Sequence, residues 1–98
     1  VTLDTANFYH SGVDPIEAAN RLAGKIFHTH LKDGYFDEDG NWHGTAVGEG
    51  ALDFRRILAT LAQQRYAGWF CIEYEGEEDP DIGLRKSIDF LAPILRVQ

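Results

Sequence analysis

Methionine is absent from the 98 residues, and cysteine occurs once, at Cys71. A single thiol excludes an internal disulfide and any zinc site built from cysteines alone, and it fits a reducing, cytoplasmic setting. No apolar run approaches the ~18 residues of a membrane span, and no basic stretch followed by an apolar one marks an export signal. Positive charge is also scarce: nine Lys and Arg stand against sixteen Asp and Glu, a formal net charge of −7. That sign is wrong for a surface that neutralises phosphates, so neither nucleic acid nor a membrane is an expected partner. Without methionine, and opening at Val1 in what reads as mid-strand, the chain is expected to lack the start of translation. What is present has a globular balance, 44% hydrophobic and 26% charged, in a length that suits one small core.

Val1–Thr5 is short, β-branched and apolar and reads as a strand, followed by a polar turn over Asn7–Gly12. Asp14 then caps a helix with Pro15 at its first position and Glu17 at the capping-box position. Gly24, just past Leu22, is the stop. Lys25–Leu31 reads as a second strand. Lys32–Gly50, rich in Gly, Asp and Asn without apolar period, reads as one long loop, and loops of that length are commonly functional. Phe54, Ile57, Leu58 and Leu61 recur at helical spacing behind Asp53 as N-cap. Trp69–Tyr74 is a strand, Gly76–Pro80 an acidic turn, and a third helix follows from Pro80 with Asp79 as cap and Leu84, Ile88, Leu91 and Leu95 on one face. Pro93 is expected to kink or shorten it. Strands alternating with helices predict an α/β fold of right-handed βαβ units on a parallel sheet.

In such folds ligands bind at the carboxyl ends of the strands. Each predicted strand ends on a metal-competent side chain: Asp4, His30 and Glu73. Strand alternation carries this further. If His30 points inward, Ile26, His28 and Lys32 do too, while Phe27, Thr29 and Leu31 face the helices. Glu73 likewise takes Trp69 and Cys71 inward and sends Phe70, Ile72 and Tyr74 outward. One Asp, one His and one Glu suit a divalent ion such as Mn²⁺, Zn²⁺, Mg²⁺ or Co²⁺.

LDTANF, DPIEAANRLAGKIFHTHLKD and VGEGALDFRRILATLAQQRYAGWFCIEYEGEEDP, in that order, resemble the C-terminal part of the sugar phosphate isomerase/epimerase family, the xylose isomerase-like TIM barrels. The resemblance implies that residues 1–98 supply three βα units, strands six to eight, of a parallel (β/α)8 barrel that is incomplete in this chain. It further implies a divalent metal held by Asp4, His30 and Glu73, and by a Glu of the fifth strand that has no counterpart here. Asn7 stands where many members have a substrate- or metal-contacting His, and Trp42 and His43 are the nearest substrate-binding candidates in the long loop. The implied reaction is isomerisation or epimerisation of a sugar or sugar phosphate through an enediolate, with Glu73 as both ligand and acid/base. With one carboxylate of the pair missing, the chain alone is expected to be inactive. Lyases or dehydratases of cyclic polyols share the motifs. An AP-endonuclease-like hydrolase is a further alternative, weakened by Asn7 and by the acidic balance.

Plainer readings stand beside these. Asp4 could simply initiate a turn, and a lone strand histidine is usually a packed one, but the HxH pair followed by Leu-Lys-Asp favours a ligand role for His30. His28 reads as a hydrogen-bonding neighbour that orients the site. Lys32 and Asp33 read as a local ion pair, with contact to a substrate phosphate or carboxylate as the alternative. Glu75, Glu77, Glu78, Asp79 and Asp81 read as a solvated turn, His10 and His43 as exposed loop histidines, and Cys71 as core packing. Open parallel strand edges predict pairing with the missing strands or self-association.

Overall fold

The computed structural model describes residues 1–96, so the last two positions of the expected 1–98 segment lie outside the described residues. In chain order the elements are β1 (Thr2–Asp4), α1 (Thr5–His10), α2 (Pro15–Arg21), β2 (His28–Leu31), β3 (Asp33–Phe36), β4 (Trp42–Thr45), α3 (Phe54–Gln63), β5 (Trp69–Ile72) and α4 (Pro80–Arg96). β1, β2 and β5 pair in parallel in that order, and β3 and β4 form a separate antiparallel hairpin.

Local chemistry starts each main helix as the residue types dictate. Asp14 Oδ1 accepts from the Ile16 N–H at 2.9 Å, Asp53 Oδ1 from Arg56 at 3.2 Å and Asp79 Oδ1 from Asp81 at 2.8 Å. Each satisfies a donor that the first helical turn leaves unpaired. Phe54, Ile57, Leu58 and Leu61 of α3 are all buried and meet Leu3 and Leu31 from the sheet, Ala18 and Ala19 from α2, and Leu91 and Ile94 from α4. Burying side chains of this size is worth ~1.5–3 kcal/mol each, so α3 ties the helical layer to the sheet. The expected α/β layering and parallel sheet are present.

Several expectations are corrected. Thr5–His10 is a helix, where a polar turn was expected to begin, because Asp4 caps it through Asn7 and Thr5 and Ala6 are buried against the sheet. The long loop contains the β3–β4 hairpin. α4 runs through Pro93 to Arg96 instead of breaking. The bond that Pro93 cannot donate would have gone to Asp89, and both residues lie on the exposed side of the helix, where water can serve the carbonyl. β2 begins at His28, and before it the alternation reverses: Ile26 enters the core and Phe27 is 72% exposed. A residue outside the ladder is not bound by its pleat. Cys71 is exposed, not packed in a core, because it lies on the sheet face that no described helix covers. Trp69, on the same face, is 79% exposed.

Candidate metal centre

The parallel register puts Asp4 beside His30 and Leu31 beside Ile72, so Glu73 leaves β5 one step past the end of the ladder. Its backbone N–H still donates to the Leu31 carbonyl at 3.0 Å. Alternation aims Asp4, His30 and Glu73 at the face opposite the helices. One ligand atom from each lies within 4.8 Å of the others. His30 Nδ1 is 2.6 Å from Glu73 Oε1 and 3.7 Å from Asp4 Oδ2. The three residues expected from the sequence are thus brought together.

Asp4 divides its carboxylate between two tasks. Oδ1 accepts from the Asn7 N–H at 3.0 Å and caps α1, which leaves Oδ2 turned to the site. The buried Thr5 fastens the adjoining strand ends, since its hydroxyl donates to the Lys32 carbonyl at 2.7 Å and accepts from the Lys32 N–H at 3.0 Å. His28 meets the His30 ring edge to face at 5.0 Å, a ring contact in place of the expected hydrogen bond.

Lys32 and Asp33 do not form the expected ion pair, because each side chain is taken up by other partners. Lys32 Nζ lies 3.2 Å from Glu75 Oε1, 3.6 Å from Asp4 Oδ2 and 3.7 Å from Glu73 Oε2. Burial works against its charge, but the Glu75 hydrogen bond and the surrounding carboxylates outweigh this and hold the ammonium above its usual range. Glu75, read as part of a solvated turn, instead belongs to this cluster. The signal that reaches both residues was present in the sequence: Lys32 is two residues from His30, and Glu75 two from Glu73. Asp33 points the other way, fully buried, and accepts from the N–H groups of Gly34, Gly48, Gly50 and Leu52 at 2.8–3.2 Å. Burial pushes its carboxyl above the usual range, against the pull of those four donors.

The substrate-binding candidates lie beside this cluster. Trp42 and His43 sit on β4, where Trp42 packs on Tyr9, His10 and Phe36 and His43 Nε2 meets Asp37 Oδ2 at 2.7 Å. That hydrogen bond, with the Asn41 N–H, holds the Asp37 carboxyl below its usual range. The expected loop histidines are therefore on elements, His10 at the end of α1 and His43 paired and half-buried. Asn7 is exposed and its side-chain oxygen meets His10 Nε2 at 3.3 Å. A cleft of about 250 Å³ opens between Tyr35, Trp42, His43 and the 75–77 segment. Glu75 connects it to the metal-competent cluster through Lys32.

Two carboxylate oxygens and one imidazole nitrogen converging from adjacent strands fit a divalent ion and leave further coordination positions open. A parallel α/β sheet with such side chains at the carboxyl ends of its strands defines a βα-barrel type of protein. The chain belongs to the xylose isomerase-like TIM barrel family, whose model matches residues 1–94. It is 33% identical to an inosose dehydratase of Clostridium beijerinckii, over 81% of this chain and 30% of that protein. It superposes on a xylose isomerase domain protein from Planctomyces limnophilus with a TM-score of 0.73 at 26% identity, over 93% of this chain and 33% of the other. A D-tagatose 3-epimerase-like protein gives 0.76 at 24% identity, over 99% and 34%, which is a likeness of fold. The chain thus spans about a third of the length of these relatives. Among the described residues, no helix is long and apolar enough to cross a membrane.

Proposed function

We propose that residues 1–98 are a C-terminal segment, strands six to eight, of a barrel enzyme in which Asp4, His30 and Glu73 bind a divalent metal. The substrate is a small polyhydroxylated carbonyl compound. The observation that carries this reading is the convergence of the three ligand atoms within 4.8 Å. When bound, the ion polarises the substrate's carbonyl and neighbouring hydroxyl oxygens. Glu73 is the carboxylate that moves the proton at the adjacent carbon, leading through an enediolate. Asp4, anchored by α1, and His30 keep that carboxylate in place, and Trp42, His43 and Asn7 face the rest of the substrate.

The fate of the enediolate distinguishes two outcomes. Loss of a hydroxyl from the next carbon is dehydration, and return of the proton is isomerisation or epimerisation. The name carried by the Clostridium beijerinckii relative favours dehydration of a cyclic keto-polyol. The sugar phosphate isomerase motifs support the second outcome, which uses the same first proton transfer.

The test is calorimetric titration of Mn²⁺ or Co²⁺ into the chain and into Asp4→Asn, His30→Ala and Glu73→Gln. Asp4→Asn keeps the oxygen that caps α1, so it removes ligand charge alone. Each substitution is expected to weaken binding at least about tenfold, since charged oxygen and imidazole donors dominate affinity at such sites. Unchanged affinity in all three overturns the assignment.

A further inference from the structure

Lys32 is 7% exposed, yet only one of its contacts is within hydrogen-bond distance, that to Glu75 at 3.2 Å. An ammonium carries three N–H donors. Asp4 Oδ2 and Glu73 Oε2 lie close by but beyond hydrogen-bond reach, at 3.6 and 3.7 Å. Glu73 thereby serves two partners, Oε1 meeting His30 and Oε2 meeting Lys32. The ammonium stands against the same two carboxylates that an ion would use. Asp4 is fixed at its other oxygen and the Glu73 backbone by its bond to Leu31, so a cation between them offsets the repulsion of two neighbouring carboxylates.

A divalent ion arriving there meets a positive charge a few ångströms away, which opposes its binding. The lysine can yield because its head rides on a flexible four-carbon stem. Glu75 offers it a place: its side chain is 65% exposed, on the outer side of the ammonium. The Glu75 carbonyl lies against Gly44, where a Cβ would run into it. The exposed Glu75 side chain has room to follow the lysine.

We propose that Lys32 is a tethered cation that holds the two ligand carboxylates when no metal is bound, and that Glu75 receives it when a divalent ion takes its place. The proposal rests on the metal-ligand reading of Asp4, His30 and Glu73. Lys32 and Glu75 are positioning residues that set how tightly the ion binds and contribute no ligand to it.

Calorimetric titration of Mn²⁺ alone into the full chain separates this from that reading. Lys32→Met is expected to bind at least about tenfold more tightly than the unsubstituted chain, because the competing charge is gone. Glu75→Gln is expected to bind more weakly, because the lysine loses its alternative partner. The double variant is expected to match Lys32→Met, since Glu75 acts only through the ammonium. Lys32→Gln repeats the measurement if the Met variant does not fold. Affinity that is unchanged or weaker in Lys32→Met overturns the proposal while leaving the metal site standing. A Glu75→Gln loss that persists in the Lys32→Met background also overturns it, by showing that Glu75 acts on the ion directly. If the unsubstituted chain binds no Mn²⁺ but Lys32→Met does, and Asp4→Asn abolishes that binding, the proposal holds. If neither binds, both it and the metal reading fall.

Discussion

The parallel sheet carries the metal-competent cluster and the β3–β4 hairpin lines the cleft beside it, and the two regions are held by different means. In the sheet, Asp4, His30 and Glu73 meet because three adjacent strands share a register and press their opposite faces onto one apolar layer. The hairpin has aromatic packing of its own, Trp42 on Tyr9 and Phe36, but the 48–52 segment behind it is held by polar bonds. One buried carboxylate, Asp33, gathers that segment onto β3 through the N–H groups of Gly34, Gly48, Gly50 and Leu52. A Cβ at Gly50 would run into that carboxylate and into Gly34, so the mooring leaves no room for a side chain. Support spread over many contacts tolerates single losses, and support focused on one group does not.

Asp33→Ala should therefore have the largest effect. It strands four N–H groups and is expected to cost about 4 kcal/mol in urea unfolding, with hydrogen exchange quickening first at Gly48, Gly50 and Leu52. A loss below about 1 kcal/mol would break the contrast between the two regions. Leu58→Ala, in the centre of the distributed core, should cost about 3 kcal/mol. Its exchange should rise in the sheet and its helices together, and a response confined to α3 would show that the core is not shared. Glu73→Gln is expected to lower metal affinity at least about tenfold while changing stability by less than about 1 kcal/mol, because the site contributes function and little packing.

The smallest effect concerns Asp37. Its folded carboxyl lies below the ordinary value of 3.8, so its pairing with His43 adds stability that is complete above that value. That stability is lost as pH falls through the lowered folded value. Trp42 fluorescence followed from pH 5 to 2 should show this acid step, and Asp37→Asn should remove it. An identical acid response in Asp37→Asn would assign the step to another group.

Much of the sheet and its helices was legible because their determinants are local. Asp14, Asp53 and Asp79 cap helices where N-cap chemistry places them, and Gly24 takes a φ of +80° after α2. The hairpin reads as loop in the sequence although Asp39-Gly40 is a turn signal, because β3 and β4 carry no alternating apolar face to frame it. α1 was missed for a related reason: a six-residue helix with Thr and Asn in its first turn is held by its cap and its packing, not by propensity.

By itself, the sequence determined which residue types end each strand, which side of the strand they take and how the main helices begin. Those are consequences of alternation and of single side chains meeting their own backbone. Only the tertiary structure decided that Lys32 leaves its neighbour Asp33 for Glu75, 43 residues away, and that Asp33 gathers donors from as far as Leu52. Such partnerships depend on which strand ends lie side by side, and register is fixed by the packing of whole elements against one another.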